Sequence, residues 1–355
     1  MIEFQKKSYT FVPQKKTNII HQKPNLNMPD RNFDYFSPLL REGQYLNNGR
    51  YEIISNTENA GGFGRIYRAY DHKSNKDGMS NVVAIKEFYV EDFFEDSDRS
   101  RSIGVYTKKE MGQCIKLMRE NFRKEADILS KLNEQHDRHV PSIHGKVFSE
   151  GGRLFYAMTY IDGLTLRETV EQEGIMTEEM AVNYIVQIGK VLYKAHQWNV
   201  MHCDISPNNI MLENNCAVLV DFGNAKSYDL LLASLNNDSV DQVVQMGEIG
   251  TPGFCAPSLF IGSPRGDIYS LAATLYYLLT GKITDCLSSQ KRLDDARANL
   301  EKKKVSKETI HAILHAMEVN LENGPMGSKE FLEELPNKIV FNTLLNYNDY
   351  DYNKR

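Results

Sequence analysis

The tightest constraint on this chain is a pair of polar turns that bracket a short apolar run. His202-Cys203-Asp204-Ile205-Ser206-Pro207-Asn208-Asn209 comes first, and Asp221-Phe222-Gly223 begins twelve residues after Asn209. Between them, Ala217-Val218-Leu219-Val220 leads directly into the second turn. A run that short and apolar reads as a buried strand, and the Asp and Gly behind it read as the turn that ends it. A loop and two short strands therefore cover His202 to Val220. Asp204 and Asn209 lie five residues apart, so a single loop can present a carboxylate and an amide to one point.

The sequence on the two sides of Gly163 differs in kind. Tyr51–Ser55, Arg65–Tyr70 and Val82–Phe88 are β-branched and aromatic runs broken by Gly, Asp and Asn, the pattern of strands. A long helical stretch follows, with Phe122, Ala126, Leu129 and Leu132 on one face, and strands are expected again at Gly145–Phe148 and Leu154–Thr159. Beyond Gly163 helices dominate. Thr177 caps one that runs to about Gln197, with Glu178 and Glu179 in its first turn. Others are expected near Gly266, Thr309 and Ser328. The fold class is α+β: a β-rich lobe over about 44–160 joined to a mainly helical lobe over about 161–340, with a cleft between them suited to a ligand. Residues 1–43, rich in Lys, Asn, Gln and Pro, read as a flexible arm, and 341–355 as a tail.

Several classes are excluded by composition. A formal net charge of −5 offers no basic footprint for nucleic acid. The five cysteines, odd in number and never in a CxxC pair, form neither a disulfide framework nor a zinc ribbon and suit a reducing compartment. The run Ile268–Thr280 is thirteen residues long, short of the roughly 20 a membrane span needs, so it reads as a buried helix. Met1–Thr10 lacks the apolar stretch of a secretory signal. The expected location is the cytoplasm, and an exported effector acting in a host cytosol fits the same motifs.

Chemistry narrows the reading further. Asn59-Ala60-Gly61-Gly62-Phe63-Gly64 sits between two expected strands, where small residues let backbone N–H groups approach phosphate oxygens. On its own this is no more than a glycine-rich hairpin. Val83-Ala84-Ile85-Lys86 follows about twenty residues later, and its lysine alone could be an edge-strand charge. The loop of Asp204 and Asn209 can offer a proton acceptor and a metal-binding amide to one phosphate. Asp221, at a strand end with Gly223 behind it, is suited to hold Mg²⁺ between phosphates.

Together these residues resemble the eukaryotic-like protein kinases across roughly Leu46 to Leu335, and among bacterial members those reading VAIKEF and GTPG. The resemblance implies ATP and Mg²⁺ as cofactors, with Mn²⁺ as an alternative ion, and serine or threonine hydroxyls of proteins as acceptors. Lys86 resembles the lysine that pairs the α- and β-phosphates, and Glu125 the helix glutamate that positions it. Asp204 resembles the catalytic base, Asn209 a metal ligand, and Asp221 the principal metal ligand. Asn59, Gly61, Gly62, Phe63 and Gly64 match the phosphate loop. Ile66, Ala84 and Met211 match the groups that sandwich adenine, Met158 the gatekeeper, and Thr159 and Ile161 the backbone along the adenine edge. Asp267 resembles the helix aspartate that anchors the catalytic loop from below, and Thr251 the threonine held near the base.

The sequence also departs from that family. Asn59 replaces the first loop glycine, Cys203 the arginine before the base, and Ser206 the lysine two residues after it. Loss of one preorganised donor costs about 10²–10³ in rate, so a slow enzyme is expected. Ala256-Pro257-Ser258 lacks the glutamate of Ala-Pro-Glu, and Gly324 stands before Pro325 where its arginine partner is expected, so both members of that ion pair are read as lost together. Two other readings stay open at this point: a pseudokinase scaffold that binds nucleotide, and a small-molecule kinase.

Overall fold

The computed structural model describes residues 38–56, 64–73, 81–89, 108–134, 137–227, 250–257, 260, 262–283, 290–318 and 327–336. Among these, the β-rich part is one antiparallel sheet of β1 (Tyr45–Leu46), β2 (Tyr51–Asn56), β3 (Gly64–Asp71), β4 (Asn81–Phe88), β5 (Phe148–Glu150) and β6 (Arg153–Thr159), ordered β1-β2-β3-β4-β6-β5. Helix α1 (Lys108–Leu132) lies between β4 and β5 in the chain.

Strand alternation sorts the side chains into two functions. Register pairs Ile66 and Tyr156 with Lys86, and Met158 with Ala84, so these five share one face. The opposite face carries Tyr67, Ala69, Val83, Ile85, Phe155 and Ala157, which pack with Tyr51 and Ile53 into a core of their own. A one-residue slip would exchange the two sets. That second face also buries Glu87, whose carboxylate accepts from Tyr67 Oη at 2.8 Å and from Arg153 Nε at 2.6 Å. On α1, Phe122, Ala126, Leu129 and Leu132 are all buried, as their helical spacing predicts.

The helical part contains β7 (Leu164–Thr165), α2 (Leu166–Glu173), α3 (Glu178–Gln197), β8 (Val200–Met201), β9 (Ile210–Glu213), β10 (Cys216–Leu219), β11 (Lys226–Ser227), α4 (Pro264–Thr280), α5 (Gln290–Lys302), α6 (Lys307–Ala316) and α7 (Ser328–Glu334). Thr177 caps α3 by accepting from Met180 N, and Thr165 with Glu168 closes a capping box on α2. Every residue from Arg265 to Thr280 on α4 is buried, which makes it the centre of the helical core. Among the described residues, no helix is long and apolar enough to cross a membrane.

One expectation needs correction, and one helix lies outside what the sequence pattern predicts. The strand expected at Gly145–Phe148 begins only at Phe148, because Gly145 has a φ of 102° and breaks the extended path. Helix α5 was not expected, since its sequence is mostly charged and, among its described side chains, only Ala296 and Leu300 are deeply buried.

Candidate active site

The site is assembled where the inner sheet face meets the end of β10. Lys86 projects from β4, and its Nζ donates to Glu125 Oε1 on α1 at 2.7 Å and to Asp221 Oδ1 at 2.9 Å. Burial pushes the Lys86 ammonium down, but the Asp221 and Glu125 carboxylates hold it well above the usual lysine range. Lys86 in turn holds the Asp221 carboxyl below its usual range, against the effect of burial. Burial pushes the Glu125 carboxyl up, opposed by Lys86. Tyr156, opposite Lys86 in the sheet, has its phenol pushed well above the usual range by burial and by Glu125.

Two glycines permit this convergence. A Cβ on Gly64 would meet Glu87 O at 2.9 Å and the Lys86 side chain at 3.0 Å, so β3 can lie over Lys86 only as glycine. A Cβ on Gly223 would sit 3.1 Å from Asp221 Oδ1. Gly223 N donates to that oxygen, and Asp221 itself is left-handed at φ 59°. The following Phe222 is buried edge-on against His202, with centroids 4.6 Å apart.

The loop from His202 to Asn209 is fixed from beneath by Asp267 on α4. Asp267 Oδ2 accepts from His202 N and Oδ1 from Cys203 N, both at 2.8 Å. Burial raises the Asp267 carboxyl, but the His196 hydrogen bond and the His202 N–H bring it below its usual range. It is therefore ionised and accepts only, so His196 Nε2–H donates to it at 2.9 Å. His196 Nδ1 in turn lies 3.1 Å from Ser328 Oγ and pairs with it. This support holds Cys203 at φ 63°, a left-handed conformation for a residue with a Cβ. Burial pushes the Cys203 thiol up to about 12, so it is neutral.

Above that support, Asp204 Oδ1 accepts from Thr251 Oγ1 at 2.8 Å and Oδ2 from Asn224 Nδ2 at 3.2 Å. Asn209 Nδ2 donates to Asp204 O at 2.8 Å, so the amide oxygen of Asn209 is the atom that could hold a metal ion. Ser206 is fully buried with Thr251 Oγ1 at 3.2 Å, so its hydroxyl faces the threonine.

Of the residues matched to the adenine site, Ala84 and Ile161 are buried, while Ile66, Met158 and Met211 remain partly open. Thr159 N donates to Ser142 O at 2.8 Å, so only its carbonyl is left for an adenine edge. Asn59, Gly61, Gly62 and Phe63 lie outside the described residues, as do Ser258 and Gly324. Sequence reasoning missed His196, Asn224, Tyr156 and Ser328. The signals were faint: a histidine in the last turn of α3, and an amide directly after Asp-Phe-Gly.

Residues 59–337 match the family described as Protein kinase domain. The chain belongs to the protein kinase family. Its curated relatives include serine/threonine-protein kinase C of Synechocystis, 30% identical over 70% of this chain and 42% of the relative. Serine/threonine-protein kinase PknA of Nostoc is 27% identical over 67% of this chain and 38% of its own length. PknH of Mycobacterium tuberculosis is 35% identical over 50% of this chain and 28% of its own. This kinase thus spans about two fifths of the length of the first two relatives. Among solved structures, Rad53 residues 1–466 in complex with AMP-PNP superposes with a TM-score of 0.54 at 17% identity, covering 81% of this chain and 65% of that one. At that identity the likeness shows the fold: a two-lobed protein kinase, β-rich in the N-terminal lobe and helical in the C-terminal lobe.

Proposed function

We propose that this kinase transfers the γ-phosphate of ATP to serine or threonine hydroxyls of protein substrates. The observation that carries the reading is that Lys86 is paired at once with Glu125 and Asp221. A lysine paired with a helix glutamate, beside a strand-end aspartate placed to hold Mg²⁺, is the arrangement phosphoryl transfer by protein kinases requires. The link from Thr251 to Asp204 supports a serine/threonine acceptor, by likeness to the kinases that hold a threonine there.

The residues fit ATP and Mg²⁺. Asp221 is ionised, and its side chain is 38% exposed, enough to reach an ion while bound to Lys86. Together with the Asn209 oxygen it gives the hard oxygen donors that Mg²⁺ or Mn²⁺ prefers. When bound, the metal ion supplies charge neutralisation across the phosphates. Lys86 would pair the α- and β-phosphates, and Ile66, Ala84, Met158 and Met211 would enclose adenine beside the Thr159 and Ile161 backbone. The Asn59–Gly64 segment would cover the phosphates. Asp204 would orient the acceptor hydroxyl and take its proton. With the Ser206 hydroxyl on Thr251, a donor to the γ-phosphate is missing, which favours slow turnover. A cytoplasmic setting is supported by Cys203 and Cys216, which form no disulfide among the described residues.

The test is incubation with labelled ATP, Mg²⁺ and generic protein substrates beside an Asp204→Asn control. Label on serine and threonine that disappears in the variant supports the reading. Equal labelling by both proteins, or none by either, overturns it.

A further inference from the structure

We propose that His311, His315 and Glu334 form a binding site for a divalent transition-metal ion of the zinc class, which clasps α6 to α7. The two histidines are four residues apart on α6, the spacing that aims two imidazoles at one point beside a helix. Their ring centroids are 5.4 Å apart. Helix α7 brings the third group from the other side. Glu334 Oε1 lies 2.7 Å from His315 Nδ1, and Oε2 lies 3.5 Å from His311 Nδ1.

One ligand atom from each residue lies within 4.8 Å of the other two. Donors around a tetrahedral zinc ion sit roughly 3.3 Å apart, so small side-chain rotations close the set. Glu334 Oε2 is shielded from water and accepts no hydrogen bond, and it lies on the His311 side of the cluster. His311 is 69% exposed, which gives an ion a way in and leaves room for a water as fourth ligand. Two imidazoles and one carboxylate suit zinc and disfavour Mg²⁺. The site therefore stands apart from nucleotide chemistry and does not depend on the kinase reading. The clasped helix is the one that carries Ser328, the partner of His196.

The test uses the full chain and zinc alone, with Mg²⁺ in excess. Equilibrium dialysis is expected to give one zinc per chain, and the melting temperature to rise with zinc concentration. His311→Ala alters an exposed side chain and leaves the fold intact. It and Glu334→Gln should each weaken zinc binding by at least about tenfold and abolish the melting shift. Cobalt in place of zinc should give the visible absorption of a tetrahedral ion in the wild type only. Failure to bind zinc overturns the proposal, and so does zinc or cobalt binding that both variants leave unchanged.

Discussion

Thr251 donates its hydroxyl to Asp204 Oδ1 across 2.8 Å, although 47 residues separate the two in the chain. The second oxygen of the same carboxylate is held by Asn224. The carboxylate is thus fixed in rotation by two groups, one on each side of the 228–249 segment, which lies outside the described residues.

Thr251→Val keeps the shape and deletes the donor. We expect kcat to fall about 10²-fold, the order of effect that misplacing a reacting group produces, while Thr251→Ser stays within about tenfold of wild type. Steady-state rates decide it, and a valine variant as fast as wild type would remove Thr251 from the site.

Asn224→Leu removes the other restraint. The expected result is a fall in kcat of roughly tenfold with KM for ATP unchanged, because Asn224 bonds to Asp204 and not to the Lys86 cluster. A change confined to KM would show that Asn224 serves nucleotide binding instead.

Lys86→Met should abolish transfer and also change how stability depends on pH. Without the ammonium, Glu125 stays buried at 3% side-chain exposure and burial raises its folded pKa above the unfolded one. Such a group contributes stability below its unfolded value, about 4.3, and loses it as pH rises through the folded value. In the wild type Asp221 is shifted the opposite way, so its contribution is lost as pH falls. The melting temperature of the variant should therefore approach that of the wild type in mild acid and drop away toward neutral pH. A gap that stays constant between about pH 4 and pH 8 would contradict this account.

Asp267→Asn leaves a buried amide facing donors that need an anion. A loss of about 3–5 kcal/mol in unfolding free energy is expected, measured by denaturant titration, together with reduced turnover. A loss under about 1 kcal/mol would mean that the loop has other support.

Activity should not require phosphate on the serines between Gly223 and Gly250. The residue before Asp204 is Cys203, a neutral, half-buried thiol and not a cation that could pair with phosphate. Phosphatase-treated protein and the Ser227→Ala/Ser234→Ala/Ser239→Ala variant should keep their initial rates. A tenfold fall in both would indicate a different cationic partner, with Lys226 on β11 the first to test.

Much of this was legible in the sequence because the chemistry is written in short motifs. Lys86, Glu125, Asp204, Asn209 and Asp221 each sit in a recognisable local string, and Thr177 and Ile268–Thr280 follow from capping and from unbroken apolarity. What escaped depends on contacts across long separations. His196 meets Asp267 over 71 residues, and Ser328 meets His196 over 132. No local pattern marks a histidine in a last helical turn as the support of a loop. Helix α5 escaped for a different reason: its charged face hides a weak apolar period, and packing decides the helix more than propensity does.

The carboxylate of Asp267 has a kinetic consequence for the loop above it. Its two oxygens hold the amide hydrogens of His202 and Cys203, and it stands on a helix buried along its length. Those two hydrogens cannot reach solvent by local fraying, because releasing them strands a charge in the core. They should exchange with deuterium as slowly as the amides of α4, and only when the helical lobe opens as a whole. The His202–Asn209 loop, irregular as it is, would then belong to the slowest-exchanging unit of the protein.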